Sequence, residues 1–266
     1  MCRLYGVTRA GYYAWRHRRS GVRVQENAVL LDQIVRVHAA SRTLYGSPRI
    51  HRQLQREGIR TSENRVARLM QCHGIKARVA THRYTLPAMK RFFGNLPNRQ
   101  YEHPAELPNQ VWVGDITYLK VGEVFRYLAV VLDRCSRAVI GWSYGRRKDV
   151  ALTLRALNRA VANRRPGGEL IFHSDRGIEY AAHAYRERLA QLNITQSMNR
   201  PGKVTDNAFM ESFFHSMKGE AIHGRTFATD EEMLPVLRSY IPFYNRSRIH
   251  SSLNYVSPAA YEKQFA

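Results

Sequence analysis

The sequence predicts an α/β domain on a mixed sheet, three antiparallel strands followed by alternating helix and strand, preceded by a small all-helical domain. Two observations predict it. Up to about residue 75 the apolar residues recur at helical spacing, whereas from residue 111 strand-like runs appear, three together and then alternating with helical stretches. Charge divides along the same line: residues 1–110 carry 20 Lys and Arg against 6 acids, and residues 111–266 carry 22 against 15. The acids are therefore concentrated in the sheet-forming part.

Residues 1–40 read as a basic, mostly helical lead-in, with GYYAW at 11–15 supplying an aromatic cluster. The stretch from Ser47 to Gly74 reads as two helices. Ser47 is placed to cap the first, Pro48 fits its first turn and Gly58 ends it, while Ser62 opens the second and Gly74 closes it. Ile50, Leu54, Ile59, Val66, Leu69 and Met70 form an apolar seam, which leaves Glu63, Asn64, Arg65, Arg68 and Gln71 facing outward. Such a pair resembles a helix-turn-helix, whose second helix lies in the major groove; a plain helical hairpin with solvated basic faces shows the same pattern. The helical domain is set at 1–75. Between 76 and 110 periodicity fades, and Pro87, Pro97, Pro104 and Pro108 punctuate a stretch carrying Lys76, Arg78, Arg83, Lys90, Arg91 and Arg99, which reads as a basic linker able to track a DNA backbone.

In residues 111–266, VWVGDITYLK, FRYLAVVLDR and AVIGWSYG form an antiparallel meander. A helix over 150–164 ends at Pro166-Gly167-Gly168. LIFHSD is a short buried strand, AAHAYRERLAQL a helix and ITQSM the fifth strand. One helix is expected from Asp206 to about Gly224 and another over 230–245.

Composition narrows the chemistry. Hydrophobic residues make up 44% of the 266, enough to bury a core, and 42 Lys and Arg against 21 acids give a net charge of +21. That excess suits a polyanion such as nucleic acid and disfavours an enzyme acting on a small neutral substrate. Cys2, Cys72 and Cys135 are odd in number and widely spaced, which argues against a disulfide framework and for a reducing cytoplasm. No apolar run reaches membrane-spanning length, so a membrane is not expected as a partner.

Three acids stand out by context. Asp115 lies mid-strand with Val113 and Thr117 at period two, Asp175 emerges at the end of LIFH, and Glu211 sits on a later helix. A central strand, its neighbour and a packed helix can converge such side chains at one sheet edge, where acids in apolar surroundings are costly unless paired, hydrogen-bonded or metal-bound. Three oxygen ligands suit Mg²⁺, with Mn²⁺ as a substitute, and two such ions can clamp the attacking and leaving oxygens of a phosphoryl displacement.

At this point a family resemblance becomes specific. WVGDITYL (112–119), YLAVVLDRCSRAVIGWS (127–143), HSDRGIEY (173–180), SMNRPGKVTDNAFMESFFHSMKGE (197–220) and YNRSRIHSSLNYVSPAAY (244–261) resemble the core of insertion-sequence transposases related to retroviral integrases, the DDE recombinases. Thirty-five residues separate Asp175 from Glu211, the spacing for which the family is named. The resemblance implies a ribonuclease H-like fold and a core over 111–266. It makes Asp115, Asp175 and Glu211 both catalytic and metal-binding, with two ions expected on DNA. It also implies metal-dependent cleavage at element ends followed by strand transfer, on double-stranded DNA held by a homo-oligomer.

Lys218, seven positions beyond Glu211, would hold DNA. Asn207 would support the site or touch DNA, and Arg65, Arg68 and Arg248 are further expected DNA contacts. Asp133 reads as a turn residue, His173 as a structural hydrogen-bonding group, and Glu179 and Glu220 as acids with no assigned role. Relatives often work with an upstream-frame product, expected here as an additional partner. A DNA-binding regulator without chemistry and a nuclease that does not join ends are the rival classes.

Overall fold

In a computed structural model of the chain, residues 2, 4, 6–16, 22–78, 94, 96–102, 105–201 and 204–265 are described. Arg83, Pro87, Lys90, Arg91 and Pro104 of the expected linker lie outside them. The chain divides into two compact units, Met1–Arg78 and Val79–Ala266.

Among the described residues, the first unit holds four helices, α1 (Arg9–Arg16), α2 (Val22–Ala40), α3 (Ser47–Arg56) and α4 (Glu63–Cys72). Leu30, Ile34 and Val37 recur at helical spacing on α2 and are buried with Ile50 and Leu54 of α3 and Val66, Leu69 and Met70 of α4, so α2 closes the seam of the hairpin. Ser62 caps α4 by accepting the Arg65 N–H at 3.2 Å. Ser47 does not cap α3: the cap is Gly46, and Ser47 with Pro48 forms the first turn.

The second unit is built on a five-stranded sheet: β1 (Val111–Val121), β2 (Val124–Asp133), β3 (Val139–Gly145), β4 (Leu170–Ser174) and β5 (Ile194–Met198). The spatial order is β3-β2-β1-β4-β5. The first three strands form the expected antiparallel meander, and β4 and β5 join it parallel. The parallel crossovers need helices, supplied by α5 (Val150–Arg164) between β3 and β4, and by α6 (Ile178–Ala181) and α7 (His183–Gln191) between β4 and β5. Trp112, Ile140, Leu157, Phe172, Tyr185 and Met198 anchor the core between the sheet and these helices.

At Gly141 of β3 the helix comes so close that a Cβ would stand 2.3 Å from the Ala156 carbonyl oxygen and 2.6 Å from the Ala160 nitrogen. Both obstacles are backbone and cannot swing aside. Gly141→Ala should therefore destabilise the unit by roughly 1–3 kcal/mol, read as a lower urea midpoint at unchanged slope.

Residues 96–100 lie along the sheet's far edge. Met198 N–H donates to the Pro97 carbonyl at 3.1 Å, Arg99 N–H to Ser197 Oγ at 2.7 Å, and Gln100 is fully buried. This part of the 76–110 stretch is docked on the second unit.

Beyond β5 the expected single helix from Asp206 to Gly224 is three pieces: a 3₁₀ turn (Val204–Asn207), α8 (Ala208–Met217) and a π-helical turn (Lys218–Ile222). The His223 N–H reaches the Lys218 carbonyl, five residues back, at 2.7 Å. The wider turn coincides with a tertiary tie, since Glu220 is gripped by Arg248. Two helices, α9 (Asp230–Arg246) and α10 (Pro258–Glu262), finish the chain, and α9 contacts β3 and the π turn. Among the described residues no helix is long and apolar enough to cross a membrane.

A candidate carboxylate site

The sheet register brings the two aspartates together. Gly114 of β1 pairs with Ser174 of its parallel neighbour β4, so the next residues, Asp115 and Asp175, emerge side by side where the two strands part. Asp115 Oδ1 accepts its neighbour Ile116 N–H at 2.7 Å, and Asp175 Oδ1 accepts the Gly177 N–H at 3.0 Å. The backbone approach is tight, because a Cβ on Gly114 would meet the Phe172 ring at 2.5 Å. Helix α8 packs against β1 and carries Glu211, which is solvent-exposed.

Burial pushes the Asp115 carboxyl well above the usual carboxylate range; the charge of Asp175 pushes it further, the Ile116 N–H and the charge of Lys148 pull it back, and Glu211 adds a smaller upward push. The three acids thus share one electrostatic neighbourhood centred on Asp115. Among the described residues, however, no three His, Cys, Asp or Glu side chains are grouped to hold a metal ion. The donor set still suits a hard divalent cation, being all oxygen and carrying like charges that a cation would relieve.

Two lysines border the acids. Burial lowers the pKa of Lys218, at the start of the π turn, while the charge of Asp115 raises it. Lys148, in the loop before α5, is mostly buried and places Nζ 3.4 Å from Glu179 Oε2 on α6. Sequence reasoning passed over Lys148, since Arg-Arg-Lys in a loop looks solvated, and gave Glu179 no role.

Asn207 is buried rather than offered to solvent. Its Nδ2 donates to the Gly114 carbonyl at 3.3 Å and ties the start of α8 to β1 beside Asp115, and at 3% exposure it offers almost no surface to DNA. Arg248 is a correction: it is 4% exposed, its guanidinium donating to Glu220 Oε1 at 2.6 Å, Glu220 Oε2 at 2.8 Å and Ser216 Oγ at 3.2 Å. The reason is the return of the C-terminal segment over the π turn, which consumes the charge in an ion pair instead of presenting it to DNA. In the first unit Arg65 is half-buried, donating to Asn27 at 2.9 Å and Glu26 at 3.2 Å on α2, whereas Arg68 is exposed.

Neighbouring polar groups are structural. His173 is fully buried: Ser197 Oγ lies 2.8 Å from its Nδ1, Nε2 lies 2.8 Å from Asn199 Oδ1, and burial lowers its pKa to about 4. Asp133 caps the β2–β3 turn, accepting the N–H groups of Asn109, Cys135 and Ser136.

Asp206, read from sequence only as a helix start, is buried and accepts from the Arg200 guanidinium at 2.8 Å and from Asn98 at 2.9 Å. The Arg200 hydrogen bond holds its carboxyl far below the usual range. Its contribution to stability is present above the unfolded pKa of about 3.9 and is lost as pH falls through the folded value. Asp206→Asn should therefore flatten the acid limb of a stability–pH curve, lowering the urea midpoint at pH 6 and changing it less at pH 3.

Two aspartates at the centre of a five-stranded mixed sheet, with an acid-bearing helix packed across, define an integrase-type core on a ribonuclease H-like fold. The chain matches one integrase core domain model over residues 105–204, a second over 192–258, and an HTH-like domain model over 25–83. It is 37% identical to the insertion element IS600 uncharacterized 31 kDa protein of Shigella sonnei, covering 100% of this chain and 98% of that protein. It is also 37% identical to the transposase InsF for insertion sequence IS3fB of Escherichia coli (strain K12), covering 99% and 93%. Among solved structures, that of a simian T-cell lymphotropic virus intasome in complex with PP2A regulatory subunit B56 gamma shares the fold. Its TM-score is 0.52 at 17% identity, covering 86% of this chain and 74% of that one. The chain belongs to the insertion-sequence transposases with an integrase-type catalytic core, DDE-type enzymes of DNA transposition and integration.

Proposed function

We propose that the chain cuts and joins DNA at Asp115, Asp175 and Glu211, with Mg²⁺ as the natural metal and Mn²⁺ as its substitute. The observation that carries this reading is the side-by-side exit of Asp115 and Asp175 from adjacent parallel strands, with Asp115 destabilised as an anion by burial first, then by Asp175 and, least, by Glu211. When bound, two divalent ions would supply nucleophile activation and charge stabilisation for an in-line displacement.

The chain's own residues do the rest. Asp115 and Asp175 would hold the cation at the sheet, and Glu211 would complete the set from α8, which Asn207 ties to β1. Lys218 holds a DNA phosphate beside the carboxylates. Attack by water at an element end frees a 3′-hydroxyl, and attack by that hydroxyl on a second phosphate joins the strands.

Incubating labelled element-end DNA with increasing Mg²⁺ or Mn²⁺ tests this reading, wild type beside Asp115→Asn. Metal-dependent nicking and joining by the wild type alone is expected; products surviving in Asp115→Asn would refute the assignment.

The helical unit is the natural DNA holder, and Arg68, exposed on α4, is the contact expected there. Arg68→Ala should weaken binding of element-end DNA by about 1–3 kcal/mol if it reads a base, or lower the salt slope by about one if it meets a phosphate. A salt series of binding isotherms separates the two. A cytoplasmic homo-oligomer that holds two DNA ends together, with or without an upstream-frame partner, fits this activity.

A further inference from the structure

Glu179 is 7% exposed, and its Oε2 accepts no hydrogen bond among the described residues. It is nevertheless aimed at the site: a Cβ on Gly177 would stand 2.9 Å from Glu179 Oε2 and 3.0 Å from Asp175 Oδ1, so both oxygens border the same small space. The partner it does have is the Lys148 ammonium at 3.4 Å, itself only 15% exposed. The charge of Lys148 favours the Asp115 anion, opposing Asp175 and Glu211. The pair is brought together by the packing of α5 against α6.

An ammonium close to two carboxylates is a competitor for any divalent cation, because it can neutralise the same charges from a flexible four-carbon stem. We propose that Glu179 is a positioning residue that clamps Lys148 beside, rather than between, Asp115 and Asp175, keeping those carboxylates available to a divalent cation. Glu179 also offsets the field of Lys148 at the site. This inference rests on the metal-dependent reading above.

The test is Mn²⁺ binding to the full chain without DNA, followed by electron paramagnetic resonance of free Mn²⁺, for wild type, Asp115→Asn, Glu179→Gln, Lys148→Met and the Lys148→Met/Glu179→Gln double variant. Glu179→Gln should weaken Mn²⁺ binding about tenfold, as one uncompensated charge at an effective dielectric near 20 allows. Lys148→Met should bind more tightly than wild type. The double variant should return to the wild-type affinity, since the ammonium that Glu179 restrains is gone.

A double variant that binds as weakly as Glu179→Gln would make Glu179 a ligand and overturn the clamp, as would unchanged affinity in Glu179→Gln. If Glu179→Gln does not fold, Lys148→Met decides alone, weaker or unchanged binding overturning the proposal. Wild-type binding that Asp115→Asn does not reduce would sink the metal site itself and the clamp with it. Binding lost in Asp115→Asn but insensitive to Glu179 sinks only the clamp.

Discussion

Asp115→Asn is expected to melt at a higher temperature than the wild type in the absence of metal and to lose DNA cleavage and joining in its presence. The two effects have one cause. Asp115 is held in a fold that disfavours its charge, through burial first and the neighbouring Asp175 second. A carboxyl whose pKa is raised on folding binds its proton more tightly in the folded state. Stability therefore falls as pH rises from about 4, the ordinary value, through the raised one, and the full penalty is present above it. Asparagine carries no charge to penalise and keeps the oxygen that accepts the Ile116 N–H. The advantage of Asp115→Asn should thus vanish near pH 4 and grow as pH rises toward the raised value.

Divalent metal reverses the ranking. The wild type should gain about 2.7 kcal/mol at roughly a hundred times the dissociation constant, and Asp115→Asn far less. Removing charge aimed at the transition state should lower the rate by at least about 10²–10³-fold. Thermal melts at pH 4 and pH 7, with and without Mn²⁺, check the first part, and product formation on labelled DNA the second. A metal-free melt of Asp115→Asn below the wild type at pH 7 would contradict the electrostatic account.

The parts of this site that the sequence made legible are those set by local pattern. Alternation around Asp115 and the apolar LIFH before Asp175 identified two strands whose pairing in parallel is the simplest topology, and that pairing is what sets the aspartates side by side. Glu211 was legible through its spacing and helix. What stayed hidden depends on chain segments far apart in sequence. Lys148 looks solvated in Arg146-Arg147-Lys148 and is buried only because α6 comes to rest against α5, bringing Glu179 to it. Asp206 looks like a helix start and becomes a buried anchor because residues 96–100 fold back along β5. Arg248 sits in a basic, polar stretch that reads as a DNA-facing surface until the C-terminal segment closes over the π turn.

Arg248→Ala is accordingly expected to damage the fold before it affects any contact with DNA. The guanidinium is 4% exposed and fills both oxygens of Glu220, with Ser216 and the His250 ring alongside. Truncation would strip both Glu220 oxygens of the guanidinium, while the Tyr240 hydroxyl still donates to Oε2 at 2.8 Å, and leave a mostly buried carboxylate without its counter-charge. Breaking a buried pair from one side costs about 3–5 kcal/mol. For a unit of this size that corresponds to a drop in Tm of roughly 6–20 °C.

Removing both charges with matched apolar residues, as in Arg248→Met/Glu220→Leu, should recover most of that loss, because the desolvation of the two ions is removed along with their attraction. The two variants separate fold from function. Lys218 opens the π turn that this pair secures, so a double variant that melts near the wild-type temperature yet cleaves poorly would assign the pair to the aim of Lys218. One that recovers both stability and cleavage would confine the pair to holding the C-terminal segment in place. In neither variant should the salt slope of DNA binding change, since a charge already spent on Glu220 displaces no counterions from DNA.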